Sequence, residues 1–375
     1  MTYNLKTKSN SSSEDVGYFY LEYLFVEVLL RAPCYTKTRN NSEVKPMKRY
    51  MLASGLVLLV LMIAGCGGGG GNGDNGGGNN GGIIPGSISG IISDVNGVGI
   101  AKAVITINPT ATSVTTQNDG TFNFPDVPPG DYFITAAAEG FCTFNVAAQI
   151  TSEKDTVKNI KLVSNEGLLA WYPLNGTAND LSGNAHNGTI KGSPIPTTNH
   201  LGRINGAYLF NDNDSYDYIE APSIFNNPEK ITVSVWAKHL SVQEDDAYVF
   251  YHGQGGEFSI RFIKDIGDLD SRPIVQVRVA SGNWYGNTGD NILSEWVNLT
   301  GVWEKNTMMQ LYQDGVGGRE RTLTSAAEAG IYTDSGSELM IGRYHYGGYF
   351  HGVIADLRIF NRVLSCEEIA ALAER

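Results

Sequence analysis

The chain is poor in charge, poor in cysteine and lacks any apolar run of membrane-spanning length. Charged residues make up 18% of its 375 positions, and there are four cysteines. That is too few for a disulfide framework, so packed cores must hold the fold. Cys142 and Cys366 are read as buried free thiols, a disulfide being unlikely. Basic residues are outnumbered, 27 against 39, for a formal charge of −12. A field of that sign repels phosphate backbones and argues against nucleic acid as a partner. Signatures of catalysis are missing as well: there is no H-E-x-x-H, G-x-S-x-G or Walker sequence. Retaining glycosidases need two carboxylates about 5–5.5 Å apart. No strand-like segment carries acids at alternate positions, Glu257 stands alone, and Glu244-Asp245-Asp246 reads as a loop. What is present is apolar content of 42%, enough for packed cores. At about 150 residues per domain the length predicts two to three domains.

Lys48 and Arg49 follow Met47 and precede the apolar run Leu56–Ile63, which ends in Ile63-Ala64-Gly65-Cys66. A positive start, a short apolar core and small residues at the end describe a secretory signal over residues 47–65. The run is shorter than the roughly 20 residues a spanning helix needs. Its ending resembles a bacterial lipobox. The resemblance implies a diacylglycerol on Cys66, cleavage before it and anchoring in the cell envelope, each buried CH₂ contributing about 0.8 kcal/mol. Translation is then expected to start at Met47, with residues 1–46 a misassigned extension; a genuine extension is the alternative. Gly67–Gly82 holds only Gly, Asn and Asp, so residues 66–85 read as a flexible tether.

Short apolar-alternating segments follow: Ile88–Ser93, Ala103–Ile107, Thr121–Phe124 and Tyr132–Ala136. They are separated by turn residues at Asn96-Gly97, Asn118-Asp119-Gly120, read as a hairpin, and Val127-Pro128-Pro129-Gly130, a spacing that suggests a small β-sandwich. Thr116–Phe124, Pro128–Tyr132 and Glu139-Gly140-Phe141 resemble the carboxypeptidase regulatory-like domain, a transthyretin-like sandwich, over residues 86–163. In bacterial surface proteins that resemblance implies a spacer or contact module. No zinc-peptidase sequence accompanies it.

Residues 167–375 also read as strands. Ile231–Trp236 alternates apolar with small polar residues, the period of a strand with two different faces. Asp314-Gly315 is a turn, and Ser365 with Glu368 forms a capping box for a final helix. Gly167–Gly176, Ala178–Thr189, Gly206–Phe210, Asp217–Ile219 and above all Gly352–Ser365 are similar to the LamG-like, concanavalin A-like jelly roll, related to pentraxins. The fold expected for the whole is all-β, a small transthyretin-like sandwich followed by a jelly-roll sandwich.

Three sites follow. Asp180, Ser182, Asn184 and Asn187 offer oxygens in a Gly-broken loop, and related jelly rolls hold a structural calcium between such a loop and the position of Asp356. Asp212-Asn213-Asp214-Ser215-Tyr216-Asp217 matches an acidic loop that in pentraxins binds calcium, though a solvated loop explains it better. Trp284, Tyr285, Tyr344, Tyr346 and Tyr349 fall in Gly-rich segments read as loops, where rings stack on sugar faces. The function expected is a non-catalytic surface lipoprotein binding a glycan or glycoprotein. A divergent glycoside hydrolase or polysaccharide lyase and a protein-binding adhesion or structural envelope protein are the alternatives.

Overall fold

The computed structural model describes residues 84–210, 216–225, 228–241, 246–253, 258–264, 271–278, 283–318, 321–322, 338–344 and 347–374. Cys66, Tyr346, Glu257 and Asp212–Ser215 lie outside them. The expected all-β architecture is what forms, with the helix Cys366–Leu372 at the end. No helix among the described residues is long and apolar enough to cross a membrane.

The small sandwich has two four-stranded sheets. One places Gly86–Asp94 between Thr121–Val127 on one side and Asp155–Val157 and Ile160–Leu162 on the other. The second runs Thr112–Thr115, Val104–Asn108, Gly130–Ala137, Phe144–Ile150. Period-2 alternation sends Tyr132, Ile134 and Ala136 inward from one strand and Phe144, Val146 and Ala148 from the next. Gly120 turns the chain at a φ of 83°. That turn is not a hairpin, because the strands flanking it belong to different sheets. Its residues predict a reversal correctly; which sheet the chain enters next is decided by long-range packing.

The large domain stacks two sheets. The seven-stranded sheet runs Thr189–Lys191, Tyr218–Ala221, Leu339–Ile341, Asp246–His252, Phe258–Lys264, Ser271–Arg278, Trp284–Thr288. The nine-stranded one runs Ile195–Thr197, Ala207–Phe210, Gly352–Phe360, Lys230–His239, Val297–Glu304, Met308–Gln313, Val316–Gly317, with Leu168–Tyr172 and Arg321–Thr322 branching from it. Between the sheets lie Phe210, Val233, Val235, Phe250, Phe258, Trp303 and their neighbours. Two segments read as loops are strands: Asp246 opens a long one, and Trp284–Thr288 forms the sheet edge. Asp314 and Gly315 make a two-residue hairpin with φ of 47° and 77°, the positive values such turns need.

The outer face of the nine-stranded sheet is not solvated. Thr232 and Ser234, the polar partners of the alternation in Ile231–Trp236, are 0% and 2% exposed. Val302, Tyr312 and Phe360 on this face, with Leu364, Ile369 and Leu372 of the helix region, share one core with the small sandwich. Small hydroxyls are tolerated there because they find partners: Thr232 Oγ1 donates to Arg362 O at 2.7 Å, and Asn298 Nδ2 donates to Ser234 Oγ at 3.2 Å. Ser365 and Glu368 form the expected capping box. Cys142 is a buried free thiol; Cys366 is disulfide-bonded, against expectation.

Candidate functional site

The loop after Leu168–Tyr172 folds around Asp180. Its carboxylate accepts from the backbone N–H of Trp171, Ser182 and His186 at 2.9, 2.8 and 2.9 Å, and from Ser182 Oγ at 2.9 Å. Burial opposes ionisation more than any single donor favours it, yet the donors together hold the carboxyl below its ordinary range. Asn187 Oδ1 accepts from Asp180 N at 3.0 Å, and Asn184 Nδ2 donates to Leu168 O and Leu169 O, both at 2.9 Å. Asp356 sits at a bulge with φ of 45°. It accepts from Trp171 Nε1 at 2.6 Å and Arg358 Nε at 3.1 Å. Trp171 thus stands between the two acids, its backbone on one and its ring on the other. Both oxygens of Asp180 thus accept from donors of its own surroundings, and Asp356 Oδ1 accepts from an indole and a guanidinium. Among the described residues no three His, Cys, Asp or Glu gather as a metal site. Asp217 is buried and accepts from Ser193 N at 2.6 Å, a structural role.

Of the aromatic candidates, Trp284 and Tyr285 lie on the edge strand of the seven-stranded sheet, and alternation divides them. Trp284 points outward, 42% exposed, with the Arg278 guanidinium 5.9 Å from its ring. Tyr285, its neighbour, turns inward and packs on the core between the sheets. Three strands away, about 14 Å at 4.8 Å per strand, a second aromatic group begins on the same outer face. There Tyr344 stacks on Tyr248 at 4.9 Å and meets Tyr251 edge-on at 4.9 Å. Arg343 lies over Tyr218 at 4.6 Å and Tyr349 at 5.1 Å, and Tyr349 faces the exposed Tyr216 at 5.3 Å. Between these two groups run Arg261, 5.2 Å from the Tyr248 ring, and Gln276, which accepts from Arg261 Nη2 at 3.0 Å. Arg261 also pairs with Asp246. Burial pushes the Tyr248 phenol up to about 12, with Tyr344 adding to the shift, so it is a neutral hydroxyl at physiological pH. Arg261 Nε and Ser259 Oγ are buried and make no hydrogen bond. The arrangement is a row of rings and arginines crossing the strands, suited to stacking on apolar sugar faces and bonding their hydroxyls.

Residues 212–370 match the family model described as the concanavalin A-like lectin/glucanases superfamily, and residues 87–163 that of the carboxypeptidase regulatory-like domain. The chain carries both domains. Among solved structures, domain 4 of AbnA, a GH43 extracellular arabinanase from Geobacillus stearothermophilus in complex with arabinotriose, is 20% identical with a TM-score of 0.44, over 55% of this chain and 98% of that one. The binding domain of botulinum neurotoxin DC in complex with rat synaptotagmin II is 13% identical with a TM-score of 0.45, over 56% of this chain and 51% of that one. The chain therefore spans about half the length of the toxin domain. No curated protein matches.

Within the concanavalin A-like domain, Tyr218, Tyr248, Tyr251, Arg261, Gln276 and Arg343 escape a reading of sequence alone. The alternation Ser259, Arg261 in Phe258–Lys264 carries the signal, polar positions on a strand whose other face is apolar. Where Tyr248 points is decided by a bulge between Tyr248 and Phe250, which no propensity reveals.

Proposed function

We propose that the concanavalin A-like domain binds a glycan or glycoprotein without transforming it, on the outer face of its seven-stranded sheet. The observation that carries this is the row from Tyr349 and Arg343 through Tyr344 and Arg261 to Trp284, in which rings alternate with guanidiniums across one face. The superfamily's description names lectins, which agrees with such a role. The chain acts as an envelope lipoprotein, held by acyl chains on Cys66 with the Gly-rich tether behind it; the leader ending Ile63-Ala64-Gly65-Cys66 supports this.

Glycan-array binding tests the reading. Binding is expected, and Trp284→Ala with Tyr349→Ala should weaken it by about tenfold or more, on the scale of one or two lost stacking contacts. Absence of binding to every glycan, alongside capture of protein ligands, would redirect the face to adhesion. The same superfamily includes glucanases. New reducing ends from an incubated polysaccharide would therefore replace binding with hydrolysis. Loss of metabolic palmitate labelling in Cys66→Ala tests the anchor.

A further inference from the structure

Residues 164–166 join the two domains, and domains joined so directly often keep modest, polar contacts and move against each other. Here the contact is of another kind. Phe360, Leu364 and Leu372 belong to the same buried apolar cluster as Phe144, Ile160 and Leu162 of the small sandwich. The last helix, Cys366–Leu372, reaches the strand Ile160–Leu162. Separating the domains would put these side chains into water, so each side is unfinished without the other. A buried charge crosses the boundary as well. Arg358, 2% exposed, lies over the Phe144 ring of the small sandwich at 4.8 Å and over the Trp171 ring of its own domain at 4.9 Å. Its Nη2 donates to Thr143 O at 2.9 Å, its Nε donates to Asp356 at 3.1 Å, and its side chain also bonds the buried Cys142 thiol. A buried guanidinium is tolerated only where partners meet it, and Thr143 and Cys142 come from the other domain. The joining segment is held from both sides: Arg362 Nη2 donates to Ser164 O at 3.1 Å, and Asn165 N donates to Gly140 O at 3.1 Å.

We infer that the two domains form a single folding unit, in which the carboxypeptidase regulatory-like sandwich completes the outer wall of the concanavalin A-like domain instead of serving as a spacer. Neither domain then has a native state that outlasts the other, and a lesion in one core is felt in both. This coupling stands whatever the outer face of the seven-stranded sheet binds. Neither family match implies it, since each covers one domain.

All five tryptophans, Trp171, Trp236, Trp284, Trp296 and Trp303, lie in the concanavalin A-like domain and none in the small sandwich. Their fluorescence therefore follows that domain. In the full chain, Ile134→Ala, in the core of the small sandwich, should lower the urea midpoint of the tryptophan signal by the same amount as the midpoint read by far-ultraviolet circular dichroism. A main tryptophan step that stays in place, while the circular dichroism curve divides into two, overturns the inference. Should Ile134→Ala fail to fold, Val146→Ala removes less from the same core and is read in the same way. Native-state hydrogen exchange of the unmodified chain gives an independent reading. The slowest amides of Gly130–Ala137 and of Lys230–His239 should agree in their opening constants to within about tenfold, and a wider gap overturns the inference too.

Discussion

Arg362 and Glu368 meet in a two-pronged ion pair, Nη1 to Oε2 and Nη2 to Oε1, each at 2.7 Å. Arg362 also donates to Glu166 O at 2.8 Å and Ser164 O at 3.1 Å, in the segment joining the domains. Glu368 Oε2 accepts from Ser365 N at 2.9 Å. One pair thus ties the linker, the end of the strand Gly352–Phe360 and the helix start. Glu368→Ala removes the anion and the cap together and should lower stability by about 2–4 kcal/mol. Urea denaturation measures it; an unmoved midpoint would show the pair to be ornamental.

Asp180 is met by four hydrogen bonds from its own loop and the strand before it. Asp180→Ala leaves three backbone N–H groups and a hydroxyl unmet, and should cost about 2–4 kcal/mol. Treatment with EDTA should leave the melting temperature of the unmodified chain where it was. A drop on chelation, reversed by adding calcium, would restore the cation site expected from Asp180, Ser182, Asn184 and Asp356.

Acid should weaken the large domain through two buried histidines. Burial pushes His239 and His252 down to about 4 from 6.5, with the charge of His351 adding at His239. His239 packs against Phe262 and Phe350, and His252 packs against Phe225. The unfolded chain takes up these protons near pH 6.5, whereas the folded one refuses them until about pH 4. Stability is therefore full above about pH 6.5 and falls as the pH drops toward 4, by on the order of 3 kcal/mol per histidine. Asp180 adds a loss only at still lower pH. Melting temperatures at pH 7.5 and 4.5 should differ, and less so in His252→Gln; an equal acid loss in that variant would remove His252 as a cause.

Neighbouring aromatics at the sheet edge should separate in their effects. Tyr285→Ala is expected to lower stability by about 2 kcal/mol and leave glycan affinity unchanged, since its ring packs inward. Trp284→Ala should do the reverse. Equal effects on affinity would mean that the edge strand, rather than one of its faces, is what the ligand meets.

Much of the fold was readable because local signals agreed with it. Ile231–Trp236, read from its alternation, lies within the strand Lys230–His239, and the Ser365 to Glu368 cap and the Asp314-Gly315 turn form as their residues require. Segments that long-range pairing decides were not readable. Trp284–Thr288 is rich in Gly and Asn and becomes a strand only because Ser271–Arg278 offers it an edge. The site was half legible for the same reason. Rings announce themselves in a sequence, but whether Trp284 or Tyr285 faces outward depends on register. Asp356 shows the converse. An acid among apolar strand residues does need a partner, and Trp171 and Arg358 both supply one.

The shared core between the sandwich and the helix-bearing sheet has a mechanical consequence. A pull on a ligand at the far surface enters the strand Gly352–Phe360 and spreads into the neighbouring domain through Phe360, Leu364, Leu372 and the Arg358 contact with Thr143. The load is carried by a broad seam rather than by the short peptide joining the two units. Under tension the pair should therefore yield together as one block, with the slack taken up elsewhere along the molecule.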